Sequence, residues 1–150
     1  MRFVIETTRV VRAVWPDSLP LSIRLSCTDW TPGGWTPEET VILCRALKKE
    51  GVDVVDCSSG GNVATAQIPV APNYQVGFAE KVKNEANIAT AAVGLITEAR
   101  QGDQIIREGR ADLVYLAREL LRDPYWPLHA AKVLGVNARA LAPAQYARAF

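Results

Sequence analysis

Arg118 follows the short apolar run Leu113-Val114-Tyr115-Leu116 and opens the stretch Arg-Glu-Leu-Leu-Arg-Asp-Pro. The run is too short for a helix and too hydrophobic for a loop, so residues 113–116 read as a buried strand. That strand presents Arg118 at its carboxyl end, beside the backbone amides that open the next helix. Anionic ligands of parallel α/β folds sit at strand carboxyl ends, and a phosphate is the natural guest of an arginine there. The alternative is an ordinary surface arginine paired with Asp123 or Glu119. A second arginine, Arg24, lies inside the alternating run Leu21-Ser22-Ile23-Arg24-Leu25-Ser26. It is either a ligand contact or one half of an interior salt bridge.

Other chemistries have less to work with. His129 is the only histidine, which excludes a histidine-rich metal site and any reaction needing a histidine pair from this chain alone. Cys27, Cys44 and Cys57 form an odd set with no C-x-x-C spacing and read as reduced packing residues of a cytosolic protein. No metal site is expected.

Several elements must position the two arginines. Residues 3–14 have a helical pattern that stops before Pro16. Residues 21–26 alternate as a strand does. Thr36-Pro37-Glu38-Glu39 combines a capping side chain, a proline at the first helical position and a glutamate three residues past the cap, so a helix runs from 37 to 50 and Gly51 closes it. The β-branched residues 52–58 form the next strand. Residues 60–74, with Pro69 and Pro72, make a long loop of the kind that faces ligands. A helix over 78–84, a small-residue strand over 88–93 running into Gly94, and a helix over 99–108 ended by Gly109 follow. After residues 113–116 comes a short helix, then a longer one that Asp123-Pro124 caps and that reaches Leu134. Four strands, each followed by a helix, imply a parallel sheet with right-handed crossovers. Either a four-stranded open sheet or half of an eight-stranded barrel satisfies this order. The opening on a helix with no strand before it suits a piece of something longer. No G-x-G-x-x-G follows the first strand, which disfavours a dinucleotide-binding sheet.

The 150 residues suffice for one domain with a real core, about half of them being apolar. Seventeen basic residues against 16 acidic ones give a formal net charge of +1, which makes no case for nucleic acid or an acidic membrane. The amino-terminal residues lack the apolar stretch of a signal peptide, and no window approaches a membrane span. A cytoplasmic protein is expected.

Taken together, the 21–26 run with Asp29-Trp30, the segment from Val52-Asp53 to Ser58-Ser59-Gly60, Tyr74-Gln75-Val76 with Phe78-Ala79-Glu80, Ala92-Val93-Gly94-Leu95-Ile96-Thr97, Arg110 to Pro124, and Pro143-Ala144-Gln145-Tyr146 resemble the carboxyl-terminal half of an old yellow enzyme. The resemblance is to the bacterial NADPH dehydrogenase and xenobiotic reductase type, collinear over essentially the whole chain. It implies half of a (β/α)8 TIM barrel, strands five to eight with their helices, with residues 1–150 as one FMN-binding region. It further implies FMN reduced by NADPH or NADH, and reoxidation by an electron-poor alkene or similar small-molecule acceptor. Arg24 matches the arginine at the pyrimidine edge of the flavin, where a cation stabilises charge at N1 and O2. Gly94 matches the close backbone approach to the FMN phosphate, and Arg118 the phosphate arginine. Ala117 stands where the family commonly has glycine, with a backbone amide contact expected to survive. Tyr74, in the loop after strand six, is either a substrate-side aromatic or a rim anchor, and Arg148 matches an arginine reaching a neighbouring subunit's substrate pocket, the alternative being a frayed terminal arginine.

The family's substrate-anchoring histidines, or histidine and asparagine, and its proton-donating tyrosine belong to the amino-terminal half. A half barrel also exposes two sheet edges, which favours a homo-oligomer or a complementing amino-terminal half as partner. One expectation is therefore the FMN-binding half of an ene-reductase-type oxidoreductase, with no catalytic residue of its own and inactive in isolation. The other is a non-catalytic, self-associating module that binds phosphate ligands weakly. A third, a non-redox barrel enzyme for sugar phosphates, leaves Arg24 without a purpose.

Overall fold

The computed structural model describes residues 1–149. Its helices are α1 (Arg2–Val14), α2 (Pro37–Lys49), α3 (Val76–Ala86), α4 (Ala99–Arg107), α5 (Arg118–Arg122) and α6 (Trp126–Val133). The strands are β1 (Ser22–Ser26), β2 (Val54–Ser58), β3 (Ala89–Ala92) and β4 (Leu113–Val114), and two single 3-10 turns, Ala138–Ala140 and Ala147–Ala149, follow α6. The strands form one sheet in the order β1-β2-β3-β4, all parallel. The expected alternation of strand and helix is therefore present.

Local chemistry accounts for the boundaries. Thr36 accepts from the Glu39 amide at 3.2 Å while the Glu39 carboxylate accepts from the Thr36 amide at 2.9 Å, the reciprocal cap read from the sequence. Such a cap contributes about 1 kcal/mol. Gly51 ends α2 at φ +85°. Leu47, Val55, Cys57, Val76, Val82 and Ile105 are buried between sheet and helices. In β1, Ile23 and Leu25 pack on that core while Ser22 and Arg24 are exposed, as a half-buried strand requires.

Two expectations are corrected. The strand over 113–116 shortens to Leu113–Val114 and is not buried, Leu113 being 44% exposed. β4 is the sheet edge with β3 as its one neighbour, so nothing among the described residues pairs with its far side. The Tyr115 amide still donates to Ala92 O at 2.8 Å before the chain leaves the sheet. The last long helix begins at Trp126, with Pro127 in its first turn, and not at Asp123-Pro124. The Asp123 carboxylate instead accepts from the Tyr125 amide at 3.1 Å and meets His129 Nδ1 at 2.7 Å, which makes a turn of those residues. Smaller shifts place the start of β2 at Val54 and the start of α3 at Val76.

Candidate functional site

Arg24 of β1, the carboxyl end of β2 and the segments that follow β2, β3 and β4 enclose an open cleft of about 270 Å³. Arg24, Tyr74, Gly94, Ala117 and Arg118 all line it, so five of the six residues singled out in the sequence converge. Arg148 does not. It stands exposed in the final 3-10 turn, away from the cleft lining.

Arg24 is placed by register. It lies opposite Asp56 in the β1–β2 pair, and its Nη1 donates to Asp56 Oδ2 at 2.8 Å while Nη2 donates to Ser58 Oγ at 2.8 Å. The salt bridge named as an alternative in the sequence is thus present. It leaves the guanidinium in the cleft, because the Arg24 side chain is 60% exposed and that of Asp56 only 8%. Asp56 Oδ1 is buried without a hydrogen-bond partner in the described residues.

The far end is built from backbone. Gly94 has φ +122°, and a Cβ there would lie 3.0 Å from Gln75 Nε2 and 3.1 Å from Tyr74 Cε1. Leu95 follows at φ +52°, a left-handed conformation costing a leucine about 1–2 kcal/mol. Two such residues in succession turn the loop after β3 sharply into the cleft. The Arg118 side chain, on the same cleft, is exposed and makes no hydrogen bond or ion pair among the described residues. The partners considered for it are engaged elsewhere, Glu119 with Arg122 and Asp123 with His129. Of the three arginines that line the cleft, Arg24 is paired with Asp56 and Arg122 with Glu119, which leaves the charge of Arg118 uncompensated. This cationic excess suits an anion.

Gln75 lies within the Tyr74-Gln75-Val76 motif, whose sequence assigns it no role, and it proves central. It is 3% exposed, and its Oε1 accepts from Ser59 Oγ at 2.7 Å and Ser58 Oγ at 3.5 Å. Its Nε2 donates to Val93 O at 3.3 Å. Sequence reasoning also misses Asp56. The available signal is an acid in an otherwise apolar, β-branched strand next to the arginine-bearing one.

No helix among the described residues is long and apolar enough to cross a membrane, and no group of three or more His, Cys, Asp or Glu is placed there to hold a metal ion.

Relatives share this stretch of sequence. An NADPH dehydrogenase of Geobacillus sp. (strain WCH70) is 52% identical over 139 residues, covering 93% of this chain and 40% of the relative. One from Geobacillus thermodenitrificans is 50% identical over 146 residues, covering 97% and 42%. One from Halalkalibacterium halodurans is 46% identical over 149 residues, covering 99% and 43%. The chain therefore spans about two-fifths of the length of these relatives. Residues 1–137 match the model of a family of flavin-dependent oxidoreductases. With that match over most of its length, the chain belongs to the NADH:flavin oxidoreductase / NADH oxidase family.

Proposed function

We propose that this chain is the FMN-binding carboxyl-terminal half of an NAD(P)H oxidoreductase of the ene-reductase type, forming strands five to eight of an eight-stranded barrel. The observation that carries the reading is the convergence of Arg24, Gly94 and Arg118 on one cleft. Arg118, unpaired at the rim, and the side-chain-free backbone at Gly94 would hold the phosphate, with the Ala117 amide beside them. Arg24 would lie at the pyrimidine edge of the ring, where its fixed charge favours the anion that gathers there on reduction. The cationic lining fits a phosphorylated flavin. When bound, FMN supplies the hydride chemistry, taking two electrons from NADPH or NADH and delivering them to an electron-poor alkene or similar acceptor.

This chain's contribution is binding, orientation and electrostatics. Asp56 and Ser58 hold the Arg24 guanidinium in one place, so its charge would be preorganised toward negative charge on a bound flavin ring. Tyr74 would stand on the acceptor side of the cleft, and Arg148 would serve a neighbouring subunit's pocket. The open edges at β1 and β4 are where an amino-terminal half would join, bringing the substrate-anchoring and proton-donating groups with it.

The exposed edge at Leu113 and Tyr115 also suits a second reading, a self-associating module without activity. Co-expression with the amino-terminal half of one of the NADPH dehydrogenase relatives separates the two. A yellow complex that oxidises NADPH is expected. A colourless, inactive mixture would overturn the first reading in favour of the second.

A further inference from the structure

Resting on that FMN reading, we propose that Gln75 is the positioning residue that ties the two ends of the site together. It does so by fixing the Ser58 hydroxyl that holds Arg24 and the Val93 carbonyl that aims the Gly94 turn.

The orientation of the amide is set by chemistry. Val93 O can only accept, so the end of Gln75 that faces it at 3.3 Å is the NH2 group. Its Oε1 must then face the serines and can only accept from them. Ser59 accordingly spends its proton on Gln75 at 2.7 Å, and Ser58 turns its own toward the same oxygen in a long contact of 3.5 Å. This leaves Ser58 Oγ with lone pairs to accept from Arg24 Nη2 at 2.8 Å, and Ser59 Oγ to accept from Trp30 Nε1 at 2.9 Å. The obligate donors Arg24 and Trp30 at one end and the obligate acceptor Val93 O at the other thus fix one proton direction, and the buried Gln75 amide is the group that joins them. The same Nε2 lies 3.0 Å from where a Gly94 Cβ would stand, so it forms the wall against which that turn is pressed. A shift at the phosphate end moves Val93 O, and Gln75 transmits it to the arginine on β1.

Two substitutions test this in the complex formed with the amino-terminal half of one of the NADPH dehydrogenase relatives, with FMN as the probe and its emission anisotropy as the readout. Gln75→Met keeps the volume and loses every hydrogen bond. Gln75→Glu keeps the shape, and only its protonated form can donate to Val93 O. Burial raises the pKa of such a carboxyl. At pH 5 the Gln75→Glu variant is expected to bind FMN within about threefold of the wild type, and at pH 8 about tenfold more weakly or worse. Gln75→Met is expected to be about tenfold weaker at both pH values. Quoting each variant relative to the wild type at the same pH cancels the titration of the FMN phosphate. Recovery of Gln75→Glu at low pH marks positioning, since a variant that had merely lost packing would not regain affinity with a proton. A variant-to-wild-type ratio for Gln75→Glu that is the same at pH 5 and pH 8, or wild-type binding by Gln75→Met, overturns the proposal while the FMN reading stands. A wild-type complex that leaves FMN anisotropy unchanged overturns the FMN reading itself, and this proposal with it.

Discussion

Arg24 and Asp56 face each other across adjacent parallel strands, Nη1 to Oδ2 at 2.8 Å, with the carboxylate buried and the guanidinium largely open to solvent. The pair is asymmetric, so its two halves are not equally costly to remove. Arg24→Ala strands a buried carboxylate and is expected to destabilise the chain by about 3 kcal/mol. Asp56→Asn leaves behind only an exposed cation and is expected to cost about 1 kcal/mol. Urea melts of the two variants check the order, and a larger loss for Asp56→Asn would contradict it.

Gly94 and Gly77 make a second contrast. An added methyl at Gly94 meets Gln75 and Tyr74 in a backbone conformation at φ +122°, whereas at Gly77, inside α3, it meets nothing within 4 Å. Gly94→Ala is expected to destabilise by at least about 1 kcal/mol. Gly77→Ala, in the first turn of α3, is expected to stabilise by up to about 0.5 kcal/mol through helix propensity. A thermal melt in which Gly94→Ala is as stable as the wild type or more so would refute the account of the loop after β3.

Asp112 pins the start of β3 to the edge strand. Burial works against its charged form, but Lys83 Nζ at 2.8 Å and the Thr90 amide at 2.9 Å outweigh that and hold its carboxyl below the ordinary value of 3.8. A depressed folded-state pKa stabilises above the unfolded value, and that contribution is lost as pH falls through the folded one. Wild-type stability is thus expected to decline below about pH 4, with the decline reduced in Asp112→Asn. Melting temperatures between about pH 2 and 7 give the comparison, and identical pH slopes for the two chains would contradict it.

The three thiols are expected to be silent. Cys27, Cys44 and Cys57 are fully buried. Burial pushes the Cys44 thiol up to about 12, and a hydrogen bond with Cys27 together with burial raises that of Cys57. At pH 8 a disulfide reagent should titrate none of them in the native chain and all three after denaturation. Rapid reaction of any one before unfolding would show that the core between sheet and helices is open.

Much of this architecture is legible because it is written in local chemistry. The Thr36 cap, the proline after it and Gly51 define α2 without reference to the rest of the chain, and the alternation of residues 21–26 already separates Ile23 and Leu25 from Arg24. The features that sequence misjudges depend on neighbours. Residues 113–116 are hydrophobic enough for a buried strand, but their burial requires a strand on the far side of β4, which is not among the described residues. Asp123-Pro124 has the form of a cap, yet the aspartate is occupied by Tyr125 and His129. In the site, Arg24 and Arg118 stand out as charges in or just after strands. Gln75 and Asp56 act only through partners far away in sequence, and no spacing rule joins residue 75 to Val93 or residue 56 to Arg24.

The division of labour between Arg118 and Arg24 is best tested by comparing FMN with riboflavin, which lacks the phosphate, as ligands of the complex formed with an amino-terminal half. If Arg118 grips the phosphate through a charge-assisted contact of about 1.5–3 kcal/mol, FMN binds at least about tenfold more tightly than riboflavin, and Arg118→Ala removes most of that difference. Arg24→Ala leaves the difference in place. Equal affinity for the two flavins in the wild type, or a preference for FMN that survives the loss of Arg118, would contradict the assignment of the cleft.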